Sequence, residues 1–190
     1  MLLLFLEQGR ITYLITKRMM LRDYQQQAID RLIWDLENEG NSLVVIPQGG
    51  GKSHVIAAYI KHLDQPVIIL QPTREILKQN RSKLKAIMPD EKIATFSASL
   101  NQKQVGRITF ATIQSVYKKP ELFDGVKYLI VDESDLINPR KQNMYKDFIK
   151  AIGFKRVIGF TGTPYRMATR TRSWGPNFWQ KEVYSVTELI

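Results

Sequence analysis

The sequence predicts an α/β fold in which a mainly parallel central sheet lies between helices, three layers in all. Three observations predict it. Short apolar runs without polar alternation, LVVI at 43–46, PVIIL at 66–70, VKYLIV at 126–131 and RVIGF at 156–160, read as strands buried on both faces. Segments with helical periodicity alternate with them, the pattern of parallel strands joined by crossover helices. The residues with most chemical potential stand just after strand ends, where open parallel sheets bind ligands.

Each element has its own warrant. Over 24–39, Ala28, Ile29, Leu32, Ile33 and Leu36 recur at helical spacing until Gly40 and Asn41 stop the run. Strand 43–46 is followed by a helix over 52–63, and strand 66–70 by a helix over 74–88. Segments 92–96 and 107–111 are two further strands. Strand 126–131 precedes a helix over 143–152, and 156–160 is the last strand of the series.

A chain of 190 residues with 44% hydrophobic and 24% charged residues is expected to fold as one globular domain, here 21–190. The preceding segment 1–20 has three readings: a poorly ordered extension, a strand or helix packed on the domain, or translated sequence ahead of a start at Met19 or Met20. The favoured expectation is a non-essential N-terminal extension, because the informative residues begin at Leu21. Its apolar run Leu2–Leu6 is far below the roughly 20 residues of a membrane span, and it lacks the basic start and cleavage site of a secretory signal. Zero cysteines exclude disulfides and thiolate metal sites and fit a cytoplasmic setting. The net charge of +10 points to a polyanionic partner, nucleic acid before membrane, or else to simple solubility.

The first strand runs into Gln48-Gly49-Gly50-Gly51-Lys52-Ser53. Strand, glycine loop and helix N-terminus together offer backbone N–H groups and a positive dipole end to phosphate oxygens. Lys52 can reach the β and γ phosphates, and the Ser53 hydroxyl can ligate Mg²⁺. The full pattern has a glycine six positions before the lysine, where this chain has Ile46. A flexible turn with an incidental lysine is the plain alternative. After strand 126–131 comes Asp132-Glu133-Ser134-Asp135. A strand-end aspartate can hold Mg²⁺ and the next glutamate can activate water, although an acidic cluster alone is commonly a solvated turn. After strand 156–160 comes Thr161-Gly162-Thr163-Pro164, which can sense the acidic cluster or be an ordinary turn.

Taken together, LRDYQQQA (21–28), IPQGGGKS (46–53), QPTREIL (71–77), FATIQSVY (110–117), VDESD (131–135) and GFTGTPYR (159–166) resemble, in order, the first motor domain of superfamily 2 DEAD/DEAH-type helicases and translocases. The tyrosine–glutamine opening, FSASL (96–100) and ATIQSV are most similar to RadD-like DNA repair helicases. The resemblance implies a RecA-like P-loop NTPase domain using ATP and Mg²⁺. It implies adenine recognition by Gln25 framed by Arg22 and Tyr24, and a phosphate loop of Gln48, Gly49, Gly50, Gly51, Lys52 and Ser53. Asp132 would hold the metal with Ser53, and Glu133 would activate water, making Lys52, Asp132 and Glu133 the catalytic set. Asp135 would couple to Thr161 or Thr163, and Thr73, Arg74, Thr112 and Gln114 would touch a nucleic-acid backbone, positioning rather than reading a strand.

The chain departs from the family at Gln48 (usually threonine), at Ser134-Asp135 (commonly Cys-His or Ala-His) and at Gly162 (commonly alanine). The final EVYSVTELI resembles the approach to an interdomain linker, so a second RecA-like domain or subunit is an expected partner. DNA rather than RNA is the expected substrate, with no membrane involvement.

Three functions stay in view: an ATP-dependent DNA motor domain, an ATP-dependent nucleic-acid-binding adaptor with little turnover, and a small-molecule kinase. The last has no need of the TRE, DESD and TGTP segments. Lys141, Lys146, Lys150, Lys155 and Arg156 read as a solvated face or a nucleic-acid track. The tail of Arg166, Arg170, Arg172, Trp174, Phe178, Trp179 and Lys181 could stack bases and hold phosphates, or pack on the sheet edge or a second domain. His54 and His62 have no metal-ligand company.

Overall fold

The computed structural model describes residues 21–34, 41–136 and 143–162, together with the backbone of 6–7, 10–11 and 181–185. Thr163, Lys141, most of segment 1–20 and all of the basic–aromatic tail except the backbone of Lys181 lie outside the described residues.

Two short strands, β1 (Leu6–Glu7) and β2 (Arg10–Ile11), pair antiparallel. The domain proper begins with helix α1 (Asp23–Trp34) and continues through β3 (Ser42–Val45), α2 (Lys52–Leu63), β4 (Val67–Gln71), α3 (Arg74–Ile87) and β5 (Ile93–Ser97). Then follow β6 (Gln102–Lys103), β7 (Ile108–Thr112), the single turn α4 (Ile113–Val116), β8 (Tyr128–Asp132), α5 (Met144–Ile152), β9 (Arg156–Thr161) and β10 (Lys181–Ser185).

The sheet has eight strands in the order β10-β3-β9-β8-β4-β7-β5-β6. Every neighbouring pair is parallel except β5 with β6. The strands divide their side chains between two cores with the two-residue period of a pleated strand. Val44, Ile69, Ile130 and Ile158 face one core, capped by α1, α2 and α3. Leu43, Ile68, Leu70, Leu129, Val131 and Val157 face the other, capped by α4 and α5. In that second core Phe123 stands edge-on to Phe96 and Phe148, with ring centroids 5.3 and 5.8 Å apart. The three-layer α/β expectation is met.

Local signals set the helix ends. Asn143 caps α5 by accepting from the backbone N–H groups of Tyr145 and Lys146, both at 3.1 Å, and Gly153 closes it at φ 68°.

One expectation needs correction. Arg156 is no part of a solvated basic face. It is 3% exposed at the start of β9, and its guanidinium donates to Ser42 Oγ at 3.2 Å. Lys181–Ser185, which overlaps the segment that resembles the approach to a linker, forms an edge strand parallel to β3. No helix among the described residues is long and apolar enough to cross a membrane.

Candidate functional site

β3, β9 and β8 are adjacent, so the segments that follow them meet at one rim of the sheet. Beyond β3 the chain turns tightly, Gly50 N donating to Pro47 O at 3.0 Å. Gly49 and Gly51 take φ of 82° and 80°, the left-handed region that side chains resist. Gly51 is also the N-cap of α2. A Cβ there would overlap the Gln25 amide nitrogen, so both conformation and space demand glycine. At Gly162 a Cβ would stand 3.3 Å from Gln48 N and 3.7 Å from Lys52 Nζ. The missing methyl therefore leaves room directly beside the loop and its lysine, and the family's usual alanine would crowd it.

The tyrosine–glutamine opening lies against the same loop. Tyr24 Oη and Gln25 Nε2 donate to Gly50 O at 2.8 and 3.0 Å, and Gln25 Oε1 accepts from Arg22 N at 3.0 Å. An Arg22 guanidinium nitrogen donates to Tyr24 Oη at 3.3 Å. Gln25 is buried, with both ends of its amide engaged, while Arg22 is exposed.

Lys52 reaches the acidic pair. Its Nζ stands 3.0 Å from Glu133 Oε1. Glu133 adopts φ 51°, a strained conformation for a side-chain-bearing residue. Asp132 is only 4% exposed. Burial raises its carboxyl above the ordinary aspartate value, opposed by the Lys52 charge. Burial, reinforced by Asp132 and Asp135, also pushes the Tyr145 phenol up to about 12. Thr161 Oγ1 donates to Asp135 Oδ1 at 3.0 Å, linking the ends of β9 and β8, and Ser134 Oγ donates to Phe160 O at 3.2 Å.

The residues expected to meet nucleic acid occupy the rim beyond β4 and β7. Thr73 caps α3 by accepting from Ile76 N at 3.3 Å, and Arg74 pairs with Glu75 at 2.6 Å; both threonine and arginine are exposed. Gln114 is exposed. Thr112 is 5% exposed with its hydroxyl 2.8 Å from Ser115 Oγ, so little of it is open to a ligand.

Two residues of this rim escaped the sequence reading. Asn80 Nδ2 donates to Asp132 Oδ2 at 2.7 Å and to Gln71 Oε1 at 3.1 Å. A signal existed: Asn80 interrupts the buried stripe of Leu77 and Leu84 on α3.

Mg²⁺ prefers hard oxygen ligands, keeps several waters and needs only one or two protein groups. Ser53 and Asp132 offer a hydroxyl and a carboxylate beside the loop, which fits that demand. No cluster of three or more acidic or imidazole side chains suited to a protein-enclosed ion occurs among the described residues.

Residues 18–166 match the family described as "Type III restriction enzyme, res subunit". The DNA 3'-5' helicase XPB of Kineococcus radiotolerans is 29% identical over 157 residues, 77% of this chain and 26% of that protein. A protein of African swine fever virus, provisionally named an ATP-dependent RNA helicase, is 28% identical over 150 residues, 75% of this chain and 29% of its own length. The chain thus spans under a third of these relatives. The fold is similar to the Sulfolobus solfataricus SWI2/SNF2 ATPase core in complex with dsDNA, at TM-score 0.63 and 22% identity over 80% of this chain and 34% of that one. The family match covers more than three quarters of the sequence, and the chain belongs to the helicase-type ATP-binding family of the type III restriction enzyme res subunit.

Proposed function

We propose that this chain is the ATP-binding motor domain of a superfamily 2 DNA helicase or translocase, working with a second RecA-like domain. The observation that carries the reading is the 3.0 Å approach of Lys52 to Glu133, which joins the glycine loop and the acidic pair in one site.

The loop amides and the N-terminus of α2 cradle the triphosphate, and Lys52 balances its terminal charge. Gln25, already positioned by Gly50 O and Arg22 N, takes the adenine edge when one of its bonds is exchanged. Ser53 and Asp132 would hold the metal, which when bound would offset negative charge on the triphosphate. Glu133 orients the attacking water and accepts its proton as the water oxygen bonds to the γ phosphorus and the β–γ bridge breaks. For this the Lys52–Glu133 ion pair opens: the lysine moves to phosphate and the carboxylate is released for catalysis. Thr161 and Asp135 carry the change at the acidic pair along β9. Thr73, Arg74 and Gln114 contact the sugar–phosphate backbone. The DNA preference is supported by relatives named as DNA helicases and by a similar fold solved with dsDNA, while the viral relative's name keeps RNA in the test.

ATP hydrolysis measured with single-stranded DNA, duplex DNA or RNA tests the proposal, with and without a second RecA-like domain. The expected result is DNA-stimulated turnover that falls about 10²- to 10⁴-fold in Glu133→Gln, with nucleotide binding retained. Turnover indifferent to Glu133→Gln would overturn the assignment.

A further inference from the structure

The carboxylate of Asp132 is held from two directions. Glu133 N donates to Oδ1 at 3.1 Å, and Asn80 Nδ2, from the middle of α3, donates to Oδ2 at 2.7 Å. Asn80 is itself oriented, because the same amide group donates to Gln71 Oε1 at 3.1 Å, and Gln71 is 1% exposed at the end of β4. Two donors on opposite oxygens remove the freedom of the carboxylate to rotate. They occupy two of its roughly four lone-pair positions and leave the others for a cation or its water shell.

A neutral donor is what this position calls for. A lysine at 80 would neutralise the carboxylate and repel a cation, whereas an aspartate would repel the carboxylate itself. An asparagine fixes the geometry without taking up the charge. Asn80 does this from 52 positions away in sequence and from a different element, on the oxygen opposite the one that Glu133 N holds.

We infer that Asn80 is a positioning residue for the metal-holding carboxylate of Asp132, with Gln71 setting the orientation of its amide. The inference rests on the nucleotide-site reading. It goes beyond it by assigning the tuning of metal affinity to α3, a helix that supplies no ligand of its own. Groups that orient metal ligands in this way commonly contribute 10- to 100-fold in metal affinity.

The test measures Mn²⁺ binding by electron paramagnetic resonance in the presence of a non-hydrolysable ATP analogue, and analogue binding alone in EDTA. Asn80→Ala is expected to weaken Mn²⁺ binding about tenfold or more, while analogue affinity in EDTA stays within about twofold and urea unfolding stays cooperative with an unchanged m value, its midpoint lowered by the two lost hydrogen bonds. Asn80→Gln, which keeps the amide donor, is expected to recover part of the Mn²⁺ affinity. Wild-type Mn²⁺ affinity in Asn80→Ala would overturn the inference while leaving the nucleotide site intact. Equal losses with and without metal would overturn it too, since they would indicate general damage to α3. A wild-type protein that binds no analogue under either condition would overturn the site reading and this inference together.

Discussion

Gly51→Ala exposes how tightly the glycine loop is built into the domain. The residue sits at φ 80°, where a side chain costs about 1–2 kcal/mol, offset by up to about 1 kcal/mol because alanine also restricts the unfolded chain. The new Cβ would also overlap Gln25 Nε2, forcing that side chain away from Gly50 O and Arg22 N, each now 3.0 Å from it. At about 1 kcal/mol for each lost hydrogen bond, the total approaches 3 kcal/mol. Gly49 is the internal control. Its φ is 82°, but a Cβ there meets nothing within 4 Å, so Gly49→Ala bears only the backbone cost of about 1 kcal/mol. Urea unfolding followed by circular dichroism, with equal m values, reads the difference of about 2 kcal/mol between the two variants. In a Gln25→Ala background, Gly51→Ala should fall to the cost of Gly49→Ala. Equal costs for the two glycines in the wild-type background would refute the packing argument, as would an unchanged Gly51→Ala cost without Gln25.

Thr161→Val removes the 3.0 Å hydrogen bond from the buried Thr161 hydroxyl to the half-buried Asp135. It should cost about 1–2 kcal/mol in urea unfolding, and lower DNA stimulation of hydrolysis while nucleotide affinity is retained. Asp132 has its pKa raised by burial, so the folded state holds this proton more tightly than the unfolded chain does. Without metal, its contribution favours folding at low pH. That contribution declines as pH rises from the ordinary aspartate value of 3.8 through the folded-state pKa, and is level above it. The stability of wild type relative to Asp132→Asn, followed by urea unfolding against pH, should therefore fall across that interval; a rise would reverse the assigned sign.

The strands and the glycine loop were legible because their signals are local. Apolar runs such as PVIIL are continuous in sequence, and Gly49 and Gly51 advertise backbone conformations that few other residues adopt. That the Thr161 segment meets the acidic cluster is suggested by strand-end positions, while a link from Asp135 to Thr161 or Thr163 is what the family resemblance implies, and the structure shows it at Thr161. Asn80 is harder to read: its break in the Leu77–Leu84 stripe hints at a buried polar role, but its partner is 52 residues away and asparagine on a helix ordinarily reads as solvated surface. Arg156 misled for the reverse reason: a positive charge beside Lys155 reads as exposed, while the sheet buries it against Ser42. β6 and β10 were missed because neither carries the continuous β-branched run of a buried strand. Gln102 and Lys103 are exposed and pair only at the sheet edge, and Lys181–Ser185 is KEVYS.

Titration calorimetry of Mg·ATP into the folded wild-type chain and into Lys52→Ala tests the central claim most directly. The ion pair at 3.0 Å predicts one saturable site in the wild type. The alanine variant should lose binding by at least about tenfold, although removing a partly exposed ion pair costs the fold no more than about 1 kcal/mol. Equal binding by the two proteins, or no saturable heat from well-folded wild type, would contradict the account.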